Sequence, residues 1–431
     1  MKNMGKLGRS LLLSICLVFI LYLCSADAYK SDKEAAPVAK AKQSTSNTAT
    51  SYTVSPKTKP LNGSYTKSQQ YNQNTKIYFM LRSYLEKITS KGGGTLTLKK
   101  GTYPISNTLY ITSKTTIILE DGVVLKKTDK AAKGMTAASS MFQLIDGAKK
   151  DKKGAYGKHN GESHITIKGK GTAILNLGYL DFGEKSVIGI IMGHNSDVKI
   201  ENVTFKNMKR GHMIEMDACK DVSITNCTFT GFKPSGMYNK EAINIDTPDK
   251  NRQGFNSVWS KKDCTPNENV EIKNCVFKNL EAGIGSHRYS GGSYHSDVTI
   301  EKCSFSNVQT AIRVLNWKDA VIQNNTFTNC KPNERYPYSF FMAGVKGITF
   351  QDNSFQGCGG DNGKLMEFWW DKGYAANQKI YSATVSKITR KQAALFLSNK
   401  AKNCGLCTIY APKYWVDFSC ERPDGSKIPM P

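Results

Sequence analysis

Six copies of one short motif, Ile-x-x-x-x-Phe, constrain what this chain can fold into more than any other feature of its sequence. Successive copies start 24, 48, 28, 22 and 28 residues apart, and Phe replaces Ile in the last copy. A repeat of this size, made of short strands with almost no helix signal between copies, predicts a solenoid of parallel β-coils. The copies begin and end at Ile200 and Phe205, Ile224 and Phe229, Ile272 and Phe277, Ile300 and Phe305, Ile322 and Phe327, and Phe350 and Phe355.

Four further segments alternate apolar and polar residues, which is typical of a strand with one buried and one exposed face. They run from His212 to Asp217, from Glu241 to Asp246, from Ala282 to His287 and from Ala311 to Asn316. These segments lie between the repeats, so we expect them to form a second set of stacked strands on the same solenoid.

The residue two places before each motif phenylalanine predicts how the coils pack inside. Equal positions of successive coils stack at about 4.8 Å, the spacing of neighbouring strands. We therefore expect the cysteines at this position to be small buried hydrophobes and the asparagines to form a hydrogen-bonded ladder. The six residues are Val203, Cys227, Cys275, Cys303, Asn325 and Asn353.

The two ends of the chain differ in character from the repeats. Residues 1–28 combine a basic start, an apolar run and the triplet Ala26-Asp27-Ala28, which predicts an export signal. Residues 29–73 are rich in Lys, Ser and Thr and predict a disordered linker. Apolar residues at helical spacing from Thr75 to Thr89 predict a helix that caps a solenoid domain of residues 74–360. Residues 361–431 are expected to form a last coil and an irregular C-terminal cap.

The charge of the chain is strongly positive. Lys and Arg total 60 against 35 Asp and Glu, which gives a net charge of +25. Such an excess favours a polyanion, and we expect a polysaccharide partner, in particular an acidic one, bound by a monomer. Export and the absence of a nucleic-acid-binding motif argue against nucleic acid. The apolar run from Leu11 to Cys24 is too short for a comfortable transmembrane helix, so we expect a secreted or cell-surface protein without stable membrane insertion.

Several cysteines outside the stacked position predict disulfides, because an exported chain meets oxidising conditions. Cys330 and Cys358 each lie three residues past a motif phenylalanine, so they are expected to stack and to pair. Cys219 and Cys264 follow strands of neighbouring coils and form a second candidate pair. Three more cysteines lie near the C-terminus, Cys404, Cys407 and Cys420. Because their number is odd, their pairing stays open.

Two outward columns of side chains follow when the alternating strands are aligned on their motifs. The columns hold Glu215, Asn244, Gly285 and Arg313, and Asp217, Asp246, His287 and Leu315. A rigid patch of this kind suits an extended polymer. Hydrolysis of a glycosidic bond needs two carboxyl groups, one that donates a proton and one that activates water or attacks the sugar. Asp246 together with Asp217 or Glu215 supplies such a pair, unless these carboxylates are merely solvated or pair with cations.

The start of the solenoid carries a family resemblance. The segment Gly92-Gly93-Gly94-Thr95-Leu96, followed by Gly101-Thr102-Tyr103 and short strands, resembles the opening of the pectin-lyase-like right-handed β-helices. This superfamily includes polygalacturonases, pectate lyases, epimerases and phage depolymerases. The resemblance implies an all-β fold, a right-handed single-stranded parallel β-helix with an N-terminal capping helix and a C-terminal irregular cap.

The match to the polygalacturonase-like glycosidases is partial. Their Asn-x-Asp strand corresponds to Asn244-Ile245-Asp246, which gives Asp246 the role of candidate general acid. Their histidine corresponds in order to His287, and their Arg-x-Lys strand only to Arg313, because Leu315 replaces the lysine. Their paired aspartates are missing, and Asp263 is the nearest substitute.

Residues around these columns are candidate contacts for a substrate. The long loop from Thr247 to Asn269 carries Trp259, and Trp317 follows the Arg313 strand, so both rings are candidates to stack on a sugar. Packing is the alternative for each tryptophan. Three polar residues complete the predicted substrate contacts, namely Glu241, His212 and Arg288.

Three functions remain open from the sequence. The first is an exported glycoside hydrolase without a cofactor. The second is a polysaccharide lyase, in which His287 or Arg313 acts as base while Asp217 and Asp246 hold Ca²⁺ against a uronate carboxylate. The third is a non-catalytic glycan-binding protein at the cell surface.

Overall fold

The computed structural model describes residues 50–431, except 184, 236–239, 250–254, 256, 288–292, 334–335, 361–362, 370–385, 387, 411–419, 422–426 and 429–431. The predicted export signal and the first part of the predicted linker lie outside the described residues. No helix within the described ranges is long and apolar enough to cross a membrane.

Parallel strands stack coil upon coil and give the solenoid three faces. The first face is a ten-stranded sheet in which every strand pairs with its equivalent one coil away. Its strands are β1 (Ser51–Val54), β2 (Gly94–Leu98), β5 (Thr115–Leu119), β8 (Ser163–Gly169), β11 (Ser196–Glu201), β14 (Lys220–Thr225), β17 (Glu268–Lys273), β19 (His295–Glu301), β21 (Trp317–Gln323) and β24 (Lys346–Gln351).

The second and third faces join into one eighteen-stranded sheet, because two long strands, β18 (Val276–Gly285) and β20 (Ser304–Leu315), run through both. The other strands of the second face are β3 (Gly101–Ile105), β6 (Val123–Lys127), β9 (Ala173–Asn176), β12 (Thr204–Met208), β15 (Thr228–Phe232), β22 (Thr326–Thr328), β25 (Ser354–Gln356) and β27 (Lys400–Lys402). The other strands of the third face are β4 (Leu109–Tyr110), β7 (Ser140–Gln143), β10 (Ile188–Gly193), β13 (Ile214–Asp217), β16 (Glu241–Asp246), β23 (Tyr338–Ala343), β26 (Lys364–Trp369) and β28 (Leu406–Tyr410).

The turn from the first to the second face repeats the same backbone conformation in six successive coils. One residue there has a positive φ, between 53° and 56°, and asparagine occupies the position in four of the six coils. Asparagine and aspartate tolerate this left-handed conformation better than other residues with a Cβ, which explains the choice. The residues are Asn202, Asn226, Asn274, Lys302, Asn324 and Asp352.

Ladders of identical side chains fill the interior, as the motif predicts. Six phenylalanine rings stack with centroids 4.5–5.0 Å apart and planes within 9° of parallel. Asn325 and Asn353 are fully buried, and the Oδ1 of Asn353 accepts hydrogen bonds from the backbone N–H and Nδ2 of Asn325. The ladder thus satisfies the buried amide groups that the coil repeat brings together.

The start of the described chain is ordered, so the predicted disordered linker is corrected for residues 51–73. The strand β1 pairs with β2 from Ser51 onward, and a 3-10 helix (Gly63–Lys67) follows. Aromatic contacts hold this segment, because Tyr65 packs on Phe79 of helix α1 (Lys76–Ser90) and Tyr52 packs on Tyr84. Helix α1 buries one apolar side against the first coils and forms the predicted N-terminal cap.

The solenoid continues past the predicted boundary at residue 360. Strands β26, β27 and β28 add coils beyond it, and a short helix α2 (Arg390–Leu395) and a 3-10 helix (Phe396–Ser398) lie between them. Phe396 packs on Phe350 and Phe368, so this segment belongs to the interior of the last coils. A small antiparallel pair ends the chain, β29 (Cys420–Glu421) with β30 (Lys427–Ile428).

The cysteines of the described residues whose side chains are defined are reduced, so neither predicted disulfide is formed. Cys330 and Cys358 do stack on adjacent coils, where the Cys330 carbonyl accepts a hydrogen bond from Gly359 and a thiol contact joins the two side chains. Cys264 instead donates to the Asp249 carboxylate, and Cys219 donates to the carbonyl of Asp217. These thiols thus act as small side chains that donate weak hydrogen bonds.

Candidate functional site

The third face presents two polar columns on its outer surface. Parallel pairing places Glu215 beside Asn244, Asn244 beside Gly285, and Gly285 beside Arg313. It also places Asp217 beside Asp246. The neighbouring residues of each strand point inward and are fully buried, as for Ile214 and Ile243. This is the register that the alternating sequence predicts.

His287 lies between two carboxylates immediately after β18. Its backbone N–H donates to Oδ1 of Asp246 at 2.7 Å, and its Nδ1 lies 2.8 Å from Oδ2 of the same carboxylate. On the other side of the ring, Nε2 lies 3.0 Å from Oε2 of Glu241. Asn244 adds an amide oxygen 3.0 Å from Nδ1. The ring is therefore fixed in position and orientation by three residues of one neighbouring strand, β16.

Glu241 reaches His287 because Gly285 has no side chain. A Cβ on Gly285 would lie 3.3 Å from Cγ of Glu241 and 3.0 Å from Cβ of Arg313, so the Glu241 side chain occupies the space that a larger residue would need. His212 completes this side of the cluster, with its ring 5.7 Å from the ring of His287 and its Nδ1 2.9 Å from the Glu241 carbonyl. The sequence analysis placed Gly285 in the first column but gave it no role. A glycine among polar residues was the signal that could have indicated one.

Neighbouring opposite charges shift the pKa values of His287 and Asp246 away from their usual values. Burial acts to lower the pKa of His287, but the charges of Glu241 and Asp246 outweigh it and raise that pKa well above its usual value. Burial acts to raise the pKa of Asp246, but attraction to His287 and its hydrogen bonds hold that pKa below its usual value. The pair is thus an imidazolium beside a carboxylate at neutral pH.

The other two acids of the columns behave in the opposite way. Burial, reinforced by the charge of Asp246, raises the pKa of Glu215 to about 8. Burial and the charges of Glu215 and Asp246 raise the pKa of Asp217 well above its usual value. No hydrogen-bond partner for either carboxyl oxygen of Asp217 lies among the described residues, although the side chain is only 1% exposed. A buried carboxyl without partners favours its protonated form.

Two predicted aromatic contacts have packing roles instead. Trp317 is fully buried in the core, where its Nε1 donates to the hydroxyl of Ser286. Trp259 is 2% exposed and packs with Phe255 over Gly193 of β10, and its Nε1 donates to Gln143. Neither ring presents a face to a sugar, so the expectation of stacking is corrected for both.

The remaining predicted residues are divided between the cluster and its surroundings. Asp263 accepts hydrogen bonds from the backbone N–H of Lys158 and from Thr265, which is the role of a loop-stabilising residue. Arg313 lies in the first column, 5.6 Å from the centre of the Tyr336 ring. Arg288 lies outside the described residues. The sequence analysis did not predict Tyr336 as a site residue. It lies in a segment without repeat motifs, so no pattern indicated that it would contact Arg313.

The Ca²⁺ site expected for a lyase fits these residues poorly. Calcium takes six to eight oxygen ligands, whereas both oxygens of Asp246 are already engaged by His287. The described residues contain no group of three or more His, Cys, Asp or Glu side chains placed to hold a metal ion. No reaction step through calcium is derived from them.

Comparison with known proteins agrees with the coil architecture. A family model described as "Right handed beta helix region" matches residues 188–411, which is more than half of the chain. The chain belongs to the right-handed β-helix family. This confirms the fold class and the superfamily resemblance, and residues 214–315, which contain the two columns, lie within the match.

Individual relatives extend this comparison. The chain is 26% identical over 267 residues to the "Plasmin and fibronectin-binding protein A" of Streptococcus pneumoniae, a region that covers 57% of this chain and 36% of that protein. It therefore spans about a third of the length of this curated relative. The crystal structure of PfbA, described as a surface adhesin of Streptococcus pneumoniae, matches with a TM-score of 0.54 at 18% identity over 81% of this chain and 79% of that one. At this identity the structural match shows the fold alone.

A third match is weaker. The tailspike protein of E. coli bacteriophage HK620, solved in complex with a pentasaccharide, matches with a TM-score of 0.47 at 12% identity over 70% of this chain and 56% of that one.

Proposed function

We propose that this protein is an exported glycoside hydrolase that cleaves a polysaccharide chain at the outward columns of its third face. The observation that carries the proposal is the opposed ionisation of neighbouring carboxyl groups. The pKa of Glu215 is raised to about 8, whereas the pKa of Asp246 is lowered. Pairs of carboxyl groups whose environments push their pKa values apart are what acid and base catalysis of glycosidic cleavage requires.

In this mechanism Glu215 is the general acid and Asp246 is the general base. Glu215 is protonated at neutral pH and, at 7% exposure, is more accessible than Asp217. It donates its proton to the glycosidic oxygen as the bond from that oxygen to the sugar carbon breaks. Asp246 accepts a proton from a water molecule whose oxygen forms the new bond to the same carbon. Product release and proton exchange with solvent return both groups to their starting states.

The surrounding residues hold these two groups in the required states. His287 keeps Asp246 ionised and fixed in orientation, and Glu241 holds the opposite side of the His287 ring. Burial raises the pKa of Asp217, which favours the protonated form, and in that form its carboxyl group can donate a hydrogen bond to a sugar hydroxyl. The resemblance to polygalacturonase-like glycosidases implied an acid role for Asp246. Its contacts with His287 favour the ionised form, so we assign it the role of base.

The test uses the full-length protein with a panel of acidic and neutral polysaccharides, with and without EDTA. New reducing ends and the ultraviolet absorbance of unsaturated uronate are followed together. We expect reducing ends without absorbance, and a loss of about 10²–10⁴-fold in turnover for Glu215→Gln and for Asp246→Asn. Asp319→Asn, a surface carboxylate of the first face, is the matched control and should retain activity. Absorbance that EDTA removes would overturn hydrolysis in favour of a calcium-dependent lyase.

A second candidate function is non-catalytic glycan binding at a cell surface. The low exposure of the acids favours it, since Asp246 is 2% and Asp217 is 1% exposed. A sequence relative is also named for binding rather than for catalysis, as a plasmin and fibronectin-binding protein. Capture of a polysaccharide from the same panel without any new reducing ends, unchanged by Glu215→Gln, would favour this function over hydrolysis.

A further inference from the structure

Two lysine-rich loops from distant parts of the sequence form one surface. Residues 149–158, the first loop, and residues 257–263, the second loop, are joined by backbone hydrogen bonds. Gly154 donates to the Val258 carbonyl at 3.0 Å, and Tyr156 donates to the Trp259 carbonyl at 2.9 Å. Lys261 returns a hydrogen bond to the Tyr156 carbonyl at 2.8 Å. Folding therefore brings together lysines that lie about a hundred residues apart.

The combined surface, here called the basic patch, is strongly cationic. The two loops carry seven lysines and two aspartates, Asp151 and Asp263. Nearby Glu162 faces Lys149, with 3.9 Å between Oε1 and Nζ, and it is mostly enclosed by hydrogen bonds from Ser113 and Tyr156. Five of the lysines are exposed, and the other two are partly buried. The patch lysines are Lys149, Lys150, Lys152, Lys153, Lys158, Lys261 and Lys262.

The patch is held rigidly on the solenoid. Trp259 and Phe255 pack with Tyr156 into a buried cluster on the outer side of β10. Next to it, the Nε2 of buried His194 lies 2.8 Å from the hydroxyl of Ser260, and its Nδ1 lies 2.6 Å from the Lys158 carbonyl. Because these contacts are buried, the lysines are presented on a fixed backbone, which lowers the entropic cost of binding an extended ligand.

The patch adjoins the carboxyl cluster along the axis of the solenoid. Gly193, which the Trp259 ring covers, is the direct strand neighbour of Asp217. The strand position that Trp259 covers is therefore one coil spacing, about 4.8 Å, from Asp217. The second loop, which carries Lys261 and Lys262, is thus anchored on the coil next to Asp217.

We propose that the basic patch binds negatively charged units of the same polysaccharide chain that the carboxyl cluster cleaves, so that the substrate is an acidic polysaccharide. The inference rests on the proposed function. Lysine clusters attract polyanions over several ångströms and align them along the surface. Glu215 opposes this attraction little, since its pKa is raised to about 8, and burial raises the pKa of Asp217 as well. The arrangement separates recognition of charge from the chemistry of cleavage.

Binding measurements on the full-length protein test this proposal independently of catalysis. The probes are polygalacturonate, neutral dextran and a DNA duplex, at about 20 mM and about 500 mM NaCl, which shortens the Debye length from roughly 20 Å to roughly 4 Å. Charges are reversed together in Lys152→Glu, Lys153→Glu and Lys261→Glu, all at exposed positions. The matched control reverses Lys199, Lys302 and Lys318, which are exposed lysines associated with the first face.

We expect polygalacturonate to bind more tightly than dextran, and the patch variant to weaken this binding by about tenfold or more at low salt. The difference should largely disappear at high salt, and the control variant should bind like the wild type. Undiminished binding by the patch variant, or an equal loss in the control variant, would overturn the proposal. Binding of DNA as tight as that of polygalacturonate would overturn the assignment to a polysaccharide. If the wild-type protein cleaves no polymer and the patch variant still loses binding, the basic patch is supported as a binding surface and the proposed hydrolase activity is rejected.

Discussion

The inner and outer sides of the same strands follow different rules in this protein. Along β18, Phe277 and Ile284 point inward, and the paired positions of the neighbouring coils carry the same residue types. Lys278 and Gly285 point outward, and their paired positions carry different residue types. The inner side is uniform because every coil must fill the same cross-section. The outer side is free of that constraint, so polar and titratable side chains can vary from coil to coil there.

The outer side of the third face is itself divided along the axis. Apolar residues cover the earlier coils, where Ile188 and Ile191 pack with Trp259, and the later coils, where Leu315 packs with Phe341. The carboxyl groups of the columns and His287 lie on the coils between these two apolar clusters. Water is excluded from both flanks, which explains why charges in the middle interact strongly enough to shift pKa values in opposite directions.

The largest effect on stability is expected from the phenylalanine ladder. Phe277→Ala removes a fully buried ring that stacks on two others, at 4.8 Å and 4.6 Å. We expect it to lower the free energy of unfolding by about 3–5 kcal/mol. Lys278→Ala, the next residue on the same strand, is the exposed control and should change it by less than about 0.5 kcal/mol. Urea denaturation measures both, and similar losses would show that the two sides are not energetically distinct.

A smaller effect that depends on pH is expected from Glu215. Its pKa rises from an ordinary 4.5 to about 8 in the folded protein, so between these values the folded state retains a proton that the unfolded state has released. Folding stability contributed by this group is therefore complete below pH 4.5 and is lost as pH rises towards 8. Glu215→Gln removes this loss, and we expect the variant to gain about 3 kcal/mol of unfolding free energy relative to wild type as the pH rises from 5 to 8.

Urea denaturation at these two pH values measures the gain. Asp319→Asn, an exposed acid, is the control and should follow the wild type at both. If Glu215→Gln and wild type change in parallel with pH, Glu215 is not protonated in the folded protein, and its role as general acid fails with it.

A further prediction concerns the space at Gly285. In Gly285→Ala the new Cβ would lie 3.3 Å from Cγ of Glu241 and 3.2 Å from the Arg313 carbonyl, so Glu241 must move away from His287. We expect the pKa of His287 to fall, because the charge of Glu241 helps to raise it, and stability to fall by about 1–2 kcal/mol. An NMR titration of labelled histidine measures the pKa. Gly63→Ala, where a Cβ meets nothing within 4 Å, is the control.

The smallest effect is expected from the stacked thiols. Cys330→Ala removes a buried sulfur atom and should cost about 1 kcal/mol, like other small buried truncations. A reductant should leave the melting temperature of the wild type unchanged, since the Cys330 and Cys358 thiols are reduced. Loss of about 2–5 kcal/mol on reduction would instead reveal a disulfide.

The fold was largely predictable from the sequence because its interior repeats. Ile200, Phe205 and their equivalents mark every coil from residue 200 to 355, and alternation placed Glu215 and Asp246 on the outer side. The sequence did not predict that residues 51–73 are structured, because their contacts, such as Tyr65 on Phe79, involve single aromatic residues in a polar segment.

The contacts within the site were less predictable. The pairing of Glu241 with His287 depends on a missing side chain at Gly285, on the strand next to that of Glu241. The burial of Trp259 depends on how a long loop folds back over Gly193. Such contacts join residues that are distant in sequence and follow no periodicity, so no pattern of apolar and polar residues indicates them.

The place of the carboxyl cluster within the stack has a mechanical consequence. In a solenoid each coil is stabilised by its two neighbours, so opening begins at the terminal coils and advances inward one coil at a time. Strands β13, β16, β18 and β20 have further coils on both sides. A protein pulled or frayed at either end therefore loses its terminal coils first and keeps its reactive centre intact until the last stages of unravelling.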